Sequence, residues 1–298
     1  MPPNEPRRHH FFPRFHLEHF SPGERRVWVY DKRGQVAPNP RLLSVETIAL
    51  EVDLYADDAD ESPMRGVEQW LAQEIDGPAA QVFGKIRDAA PIMRADRVAL
   101  ARYLLSRDLR TPRARDFLLD IAQQELDAWY REWKADPVAI QASIAARSGV
   151  TFDLAELGEM LEDFTGELHI TKGFWLAFLI KHVAQGAARL LSYGWAPIYA
   201  EPGREFLASD AGIVKYWTHF GDPAPPALGW MNDAHGWIAP LAPTVALGIA
   251  PGLTTVDKLA SSPFLDSFNA TVVQQAERFV FARDVATLRR AIDGVLAG

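Results

Sequence analysis

The chain has 298 residues, of which 48% are hydrophobic and 23% charged, and its formal net charge at neutral pH is −8. This composition is that of a soluble globular protein, so a disordered chain, a collagen-like repeat and a coiled-coil rod are excluded as the main architecture. The chain contains no cysteine, which excludes a disulfide scaffold, a thiolate zinc site, an iron–sulfur cluster and a cysteine nucleophile.

The N-terminal part predicts a short tail followed by a small β region. Residues 1–8 are rich in proline and arginine and are expected to be disordered. Residues 26–31 alternate in residue type, as strands do, and Arg33-Gly34 supplies a turn signal after them. A second strand is predicted for residues 47–55.

Residues 64–193 show the helical periodicity of a large central block. Thr111 and Asp136 each precede a proline, so each is expected to cap the helix that follows it. Another helix is predicted to begin at Asp153. Residues 173–192 are apolar on nearly all sides, which indicates a helix buried in the middle of the domain.

The C-terminal third returns to short strands and closes with two helices. Strands are predicted for residues 196–200, 205–208, 237–241 and 244–249. One helix is predicted for roughly 268–282, and the last begins at Asp284. The whole pattern predicts an α+β fold, with small N-terminal and C-terminal β elements packed around the large central helical block. We expect a single domain over residues 9–298, with the helical insertion at about 64–193.

The charge is unevenly distributed along the chain. Residues 1–41 carry eight Lys/Arg and four Asp/Glu, which makes this segment +4 and the remainder −12. An acidic body argues against non-specific nucleic-acid binding, because that affinity comes from clustered cations. The basic N-terminal edge could still hold a small anionic ligand.

No targeting or membrane segment is predicted. The most apolar stretch, residues 174–180, is far shorter than the roughly 20 residues of a membrane-spanning helix. The N-terminus lacks the apolar core of a signal peptide. We therefore expect a cytoplasmic protein with no membrane association.

Four of the eight histidines lie within the first 19 residues: His9, His10, His16 and His19. His16 and His19 have the i, i+3 spacing that places two side chains on one helical face. The surrounding segment is dense in phenylalanine, so part of it must be buried. Three interpretations remain open: packing under the aromatic cluster, a metal site, or acid/base and ligand-contact roles.

Other polar residues stand at positions suited to a binding pocket. Asp210 follows the strand predicted for residues 205–208 and precedes a glycine turn, where a working carboxylate or a simple Asx turn both fit. Arg110 belongs to an arginine cluster at a predicted helix boundary, which suits an anion clamp or compensation of a helix dipole. Asn269, Gln275 and Arg278 could line one side of a C-terminal helix.

Several common catalytic motifs do not occur. The sequence has no phosphate loop, no Gly-x-Gly-x-x-Gly dinucleotide turn, no Gly-x-Ser-x-Gly elbow and no His-Glu-x-x-His helix. The common NTPases, Rossmann dehydrogenases, α/β-hydrolases and zincins are therefore not expected.

The opening segment His9-His-Phe-Phe-Pro-Arg-Phe-His-Leu-Glu-His-Phe20 resembles the His-His-x-x-Pro-x-Phe-x-Leu-x-x-Phe start of a bacterial domain-of-unknown-function family, number 4238. Later segments agree with that family in order, and the ordered set covers nearly the whole chain. They are residues 27–32, 51–55, 109–113, 206–210 and 240–243, and Asn269 with residues 275–280. The resemblance implies a single domain of family length and no particular reaction.

Two departures from the family pattern bear on binding. Where the family tends to have Thr-Ser-Asp-Asn-Pro, this chain has Ala211 and Gly212 after the aspartate. Where the family has Pro-Leu-Ser-Pro, this chain has Ala242 in place of the serine. If those side chains contact a ligand, this protein is expected to bind it differently or not at all.

Two functions remain open. The first is a hydrolase or transferase for a phosphate-containing or nucleotide-like substrate, in which His10 (with His9) moves a proton, Arg110 binds the anion, and Asp210 orients the imidazole or a metal. Further substrate contacts are assigned to Arg14, Asn269, Gln275 and Arg278. The second is a non-catalytic binding or regulatory module that uses the basic N-terminal edge and an aromatic groove. The residues identify no cofactor, no metal ligands and no oligomeric state.

Overall fold

The structure, a computed structural model, describes residues 8–34, 39–55, 65–149, 151, 153, 169–216, 236–254 and 258–297. The strands are β1 (Arg8–His10), β2 (Arg26–Asp31), β3 (Arg41–Ser44), β4 (Leu50–Val52), β5 (Gly194–Ala200), β6 (Ala208–Ser209), β7 (Val214–Tyr216), β8 (Gly236–Ala242), β9 (Val245–Ala250), β10 (Lys258–Ala260) and β11 (Phe279–Ala282). The helices are α1 (Arg14–His19), α2 (Arg65–Trp70), a π-helical segment (Leu71–Asp76), α3 (Gly77–Arg87), α4 (Arg94–Leu109), α5 (Pro112–Ala135), α6 (Pro137–Ser148), α7 (Lys172–Leu191), α8 (Ser262–Gln275) and α9 (Val285–Leu296).

The strands form two larger sheets and one small pair. The five-stranded sheet has the order β10-β5-β9-β8-β7, and its strands are antiparallel except for the parallel pair β5–β10. The four-stranded sheet has the order β3-β2-β11-β6 and is antiparallel throughout. Strands from both ends of the sequence therefore share one sheet, with helices between them along the chain, and the predicted α+β class is confirmed.

Local capping chemistry accounts for several helix starts. The Thr111 hydroxyl accepts a hydrogen bond from the Ala114 amide at 3.1 Å, and the Asp136 carboxylate accepts one from the Ala139 amide at 3.0 Å. Each satisfies an amide that has no partner within its own helix. The predicted caps of α5 and α6 are confirmed.

Three predicted elements have the wrong bounds. The strand predicted for residues 205–208 is β6, at Ala208–Ser209. The strand predicted for residues 47–55 is confined to β4, and the helix predicted for 268–282 ends with α8 at Gln275 and is followed by β11. The Lys32 ammonium donates to the carbonyls of residues 273 and 274 at the end of α8 and to that of residue 276 just after it, so carbonyls at this helix end have a partner. The chain then enters the sheet between β2 and β6.

Three other predictions have mixed outcomes. Residues 154–168, over which the helix predicted to begin at Asp153 would run, lie outside the described residues. So does the predicted tail except for Arg8, which begins β1. The helix predicted for 173–192 is confirmed as α7, but Phe174 and Ile180 are exposed. No helix within the described ranges is long and apolar enough to cross a membrane.

The core consists of two clusters of apolar side chains. The larger one joins the N-terminal segment, helices α3, α4 and α7, and one face of the five-stranded sheet. The smaller one lies between α8, α9 and the strands that they cover. Helix α4 lies at the centre of the larger cluster, since Leu100, Tyr103 and Leu104 are each 0% exposed.

Gly194, at the start of β5, provides a test of this packing. A Cβ atom there would lie 1.7 Å from the Leu253 carbonyl oxygen, so Gly194→Ala requires the backbone to move. We expect it to lower the free energy of unfolding, measured by urea denaturation, by about 1–3 kcal/mol. Gly84→Ala is the matched control: no atom lies within 4 Å of that site in α3, so stability should rise by about 0.5–1 kcal/mol. Equal stability of Gly194→Ala and wild type would contradict the packing.

Candidate functional site

The two N-terminal histidines assigned to proton transfer are each engaged by neighbouring protein groups. His10 Nε2 lies 3.1 Å from the Val45 carbonyl oxygen, and because a carbonyl only accepts, Nε2 carries the proton. Burial lowers the pKa of His10, against the effect of this bond. His9 Nδ1 lies 3.2 Å from Glu68 Oε2, within ion-pair reach but outside hydrogen-bond geometry.

Arg110 is 1% exposed and bound by a carboxylate that the sequence analysis did not identify. Its two terminal nitrogens donate to both oxygens of Asp76 at 3.1 and 2.9 Å. Asp76 is the last residue of the π-helical segment. Burial disfavours the charged guanidinium, but Asp76 and nearby tyrosine groups raise the pKa of Arg110 overall. The anion that Arg110 holds in this structure is therefore part of the chain.

Asp210 is 4% exposed and lies directly after β6, which is shorter than the strand predicted before it and ends one residue later. Its carboxylate accepts hydrogen bonds from the backbone amides of Glu277, Arg278 and Phe279, each at 2.8 Å. Burial raises the pKa of Asp210 to about 6, and the three amide bonds act in the opposite direction. The contacts of Asp210 thus fix the entry of the chain into β11, and no imidazole is among them.

The residues assigned to substrate contact also have partners in the protein. Asn269 joins α8 to the chain before β6, since Oδ1 accepts from the Leu207 amide at 2.9 Å and Nδ2 donates to the Glu205 carbonyl at 2.8 Å. Arg14 pairs with Glu46, and Arg278 pairs with Asp31. Gln275 is partly buried at the end of α8. Among the described residues, no hydrogen bond or ion pair joins His9 or His10 to Arg110 or Asp210.

Among the described histidines, His16 is the one that is fully buried, at 0% exposure. Nε2 lies 2.8 Å from the Pro240 carbonyl oxygen, and Nδ1 lies 2.7 Å from the Tyr103 hydroxyl. The carbonyl requires the proton on Nε2, so Nδ1 accepts from the tyrosine and the ring is neutral. Burial and then the nearby Arg107 hold the pKa of His16 well below its ordinary value.

Arg107 lies beside this histidine and is 1% exposed. Its guanidinium carbon is 4.1 Å from the centre of the Phe12 ring, and Nη2 donates to the Ser209 carbonyl at 2.9 Å. Within the described part of the chain, Nε and Nη1 of Arg107 have no hydrogen-bond partner. Burial lowers the pKa of Arg107 to about 10, so the side chain is charged at neutral pH.

The segments that carry the family resemblance meet in this network. His16 connects residues 9–20 to Pro240, Arg107 connects α4 to Ser209, and Asp210 connects residues 206–210 to the start of β11. The shared pattern therefore coincides with contacts that hold distant parts of the chain together.

The departures from the family pattern lie next to the same network. Gly212 has φ of +87°, and a Cβ there would lie 3.1 Å from Asp108 Oδ1. Proline cannot adopt this backbone conformation, because its ring holds φ near about −65°. Ala242 is 6% exposed at the end of β8. The loop after Asp210 thus follows a path that a proline at position 212 would not permit.

A metal site was one interpretation of the N-terminal histidines. In the described part of the chain, no group of three or more histidine or carboxylate side chains is placed to hold a metal ion. His16, one member of the His16/His19 pair, uses both ring nitrogens in contacts with the protein.

Four residues of this network were not predicted as site residues: His16, Tyr103, Arg107 and Asp76. The sequence contains one signal for His16. Phe12 and Phe20 lie four residues before and after it, and this spacing places all three side chains on one apolar face of a helix. Both rings contact the His16 imidazole, with ring centres 4.9 and 5.8 Å away. No sequence pattern identifies Asp76, because its hydrogen bonds with Arg110 depend on the π-helical segment in which it lies.

The neutral state of His16 predicts a pH dependence of stability. The unfolded imidazole takes up a proton below about pH 6.5, whereas the buried ring does not, so stability is lost as the pH falls through that value. His16→Gln keeps an N–H donor for Pro240 and removes the titration. Between pH 7.5 and 5.5, the free energy of unfolding of His16→Gln, measured by urea denaturation, should fall by less than that of wild type. The difference should be up to about 1.4 kcal/mol. An unchanged loss would show that His16 is protonated in the folded protein.

Comparison with known proteins identifies the family but no characterised relative. The family described as "Protein of unknown function (DUF4238)" matches residues 8–286. The search of curated proteins gave no match, and the search of solved structures gave none. Since the match spans nearly the whole chain, this protein belongs to the DUF4238 family.

Proposed function

We propose that this protein is a non-catalytic binding or regulatory module, in which the polar residues selected from the sequence hold the fold together. The observation that supports this best is the occupation of those groups by intramolecular bonds. His10 donates to Val45, Arg110 holds Asp76 through two bonds, and Asp210 accepts three backbone amides. A general acid or base needs an atom that can reach the substrate proton.

The basic N-terminal edge is not the recognition surface in this proposal. Arg14 pairs with Glu46, Arg25 pairs with Glu18 and Glu46, and Arg33 pairs with Glu277. Exposed pairs of this kind contribute little to stability, but they do neutralise the local charge. Glu46 and Glu277 lie outside the segment that is +4 in sequence, so they offset part of its charge.

Folding stability distinguishes a structural His10 from a catalytic one. His10→Ala should lower the free energy of unfolding by about 1–3 kcal/mol, because it leaves the buried Val45 carbonyl without a donor. His10→Gln is the matched variant, since its amide can donate to the same carbonyl without titrating, and it should recover part of this loss. Urea denaturation of both variants makes the comparison. If both are as stable as wild type, or more so, the structural role is wrong, because catalytic residues commonly cost little when replaced.

Hydrolysis or transfer at a phosphate-containing substrate is the second candidate function. One arrangement favours it: Arg107 has two unpartnered donors, and Asp210, whose pKa is about 6, is close enough to interact with Arg107 electrostatically. A cation for phosphate oxygens and a carboxyl group that titrates near neutral pH suit such a reaction.

A hydrolysis assay separates the two candidates. We expect purified wild-type protein to leave bis(4-nitrophenyl) phosphate and 4-nitrophenyl phosphate intact, with or without Mg²⁺ or Mn²⁺, because the candidate acid–base groups are occupied. Turnover that is lost in Arg107→Gln and kept in Arg94→Gln would favour the hydrolase instead. Arg94 is the matched control because it is an exposed arginine of the same helix.

A further inference from the structure

A cavity of about 300 Å³ opens between the α3–α4 connection, helix α4, and strands β5 and β9. Its wall is mainly apolar and includes Ile92, Leu100 and Leu247. The lining also includes two aromatic residues, Trp195 and Tyr199, and one cationic residue, Arg97. A concave apolar site with a few polar groups is the usual form of a small-molecule pocket, and this volume is at the lower end of their range.

Arg97 is the polar group of this cavity. Its guanidinium carbon lies 5.0 Å from the centre of the Trp195 ring, and Nη2 donates to the Tyr193 carbonyl at 3.0 Å. Nε is buried and has no hydrogen-bond partner among the described residues. Because Nε is out of reach of solvent, a ligand in the cavity can contact Arg97 only through the terminal part of its guanidinium.

The charge of Arg97 is also unmatched within the described part of the chain. No carboxylate there forms an ion pair with it, whereas Lys85 on α3 pairs with Asp96, the residue next to Arg97 in sequence. Asp96, the carboxylate next to Arg97 along α4, is therefore already paired with another cation. A negatively charged acceptor in the cavity would supply the counter-charge that this guanidinium lacks.

The aromatic wall is fixed before any ligand binds. Trp195 is 3% exposed, and its indole N–H donates to the Leu190 carbonyl at 2.8 Å. The indole ring therefore has one orientation, with a face toward the guanidinium. A rigid aromatic surface favours a flat ligand, because little conformational freedom is lost on binding.

We propose that this cavity binds a small molecule with a flat apolar body of one or two fused rings and a single carboxylate, which accepts a hydrogen bond from the Arg97 guanidinium. The inference rests on the proposed binding function and names its ligand class. The apolar body lies against Trp195 and the aliphatic wall, and the carboxylate supplies the missing counter-charge. The site is distinct from the His16–Arg107 network, so its ligand does not displace the contacts of the core.

The test uses two probes of the same shape, 1-naphthoate and the uncharged 1-naphthamide, titrated into the full chain by isothermal calorimetry. Wild type should bind 1-naphthoate at least tenfold more tightly than 1-naphthamide. Arg97→Gln should weaken 1-naphthoate about tenfold or more, as the loss of a charge-assisted hydrogen bond does, and change 1-naphthamide by less than threefold. Arg94→Gln should alter neither affinity, because Arg94 is exposed and does not line the cavity.

A second variant keeps the test decisive if Arg97→Gln fails to fold. Ala90 lines the cavity and is only partly buried, so Ala90→Phe should fill the space at little cost to stability and abolish binding of both probes. Equal affinity of wild type for the two probes, equal losses in Arg97→Gln and Arg94→Gln, or no binding at millimolar concentration would each overturn the proposal. The stability test of His10 is independent of these binding results. A wrong ligand class can therefore be distinguished from a wrong proposed function.

Discussion

The architecture depends on two guanidinium groups at the end of α4 that are buried in the core. Arg107 and Arg110 are each 1% exposed, and a buried charge without compensation costs several kcal/mol. Arg110 is compensated by Asp76 on the π-helical segment, and Arg107 by the Phe12 ring and the Ser209 carbonyl. The requirement to satisfy these two groups brings the N-terminal segment, the helical block and the C-terminal strands together.

This constraint also explains why a polar core does not by itself indicate catalysis. His16 is held neutral between Tyr103 and Pro240, and Asp210 is surrounded by backbone amides. Each of these bonds joins residues that are at least 67 positions apart in sequence. Hydrogen bonds with such separations specify the tertiary arrangement, and each is costly to break because its partner would stay buried without a bond.

The sequence predicted those features that local chemistry determines. The caps at Thr111 and Asp136, the strand at residues 26–31 and the α+β class follow from residue type and periodicity, and all agree with the structure. The strand β11 was predicted as helix, because its conformation depends on pairing with β2 and β6 and not on its own residues.

The candidate site was less predictable for the same reason. Asp210 was expected after a strand, but its partners lie 67–69 residues further along the chain. His9 and His10 were predicted as the proton-transfer residues, whereas the described histidine that is fully buried is His16, whose partner Pro240 is 224 residues away. The Arg97–Trp195 pair joins α4 to β5, and no local sequence pattern predicts a contact between two separate elements.

The central claim is that the polar core is structural and that ligand recognition takes place at a separate, largely apolar cavity. The most direct measurement is two-dimensional NMR of the labelled protein during titration with 1-naphthoate. The account predicts that the largest shifts occur at the Arg97 guanidinium and the Trp195 indole, while the Nε2–H resonance of His16 stays unchanged. Shifts centred on His10, Arg107 and Asp210, with none at Trp195, would contradict it and place ligand recognition in the core network.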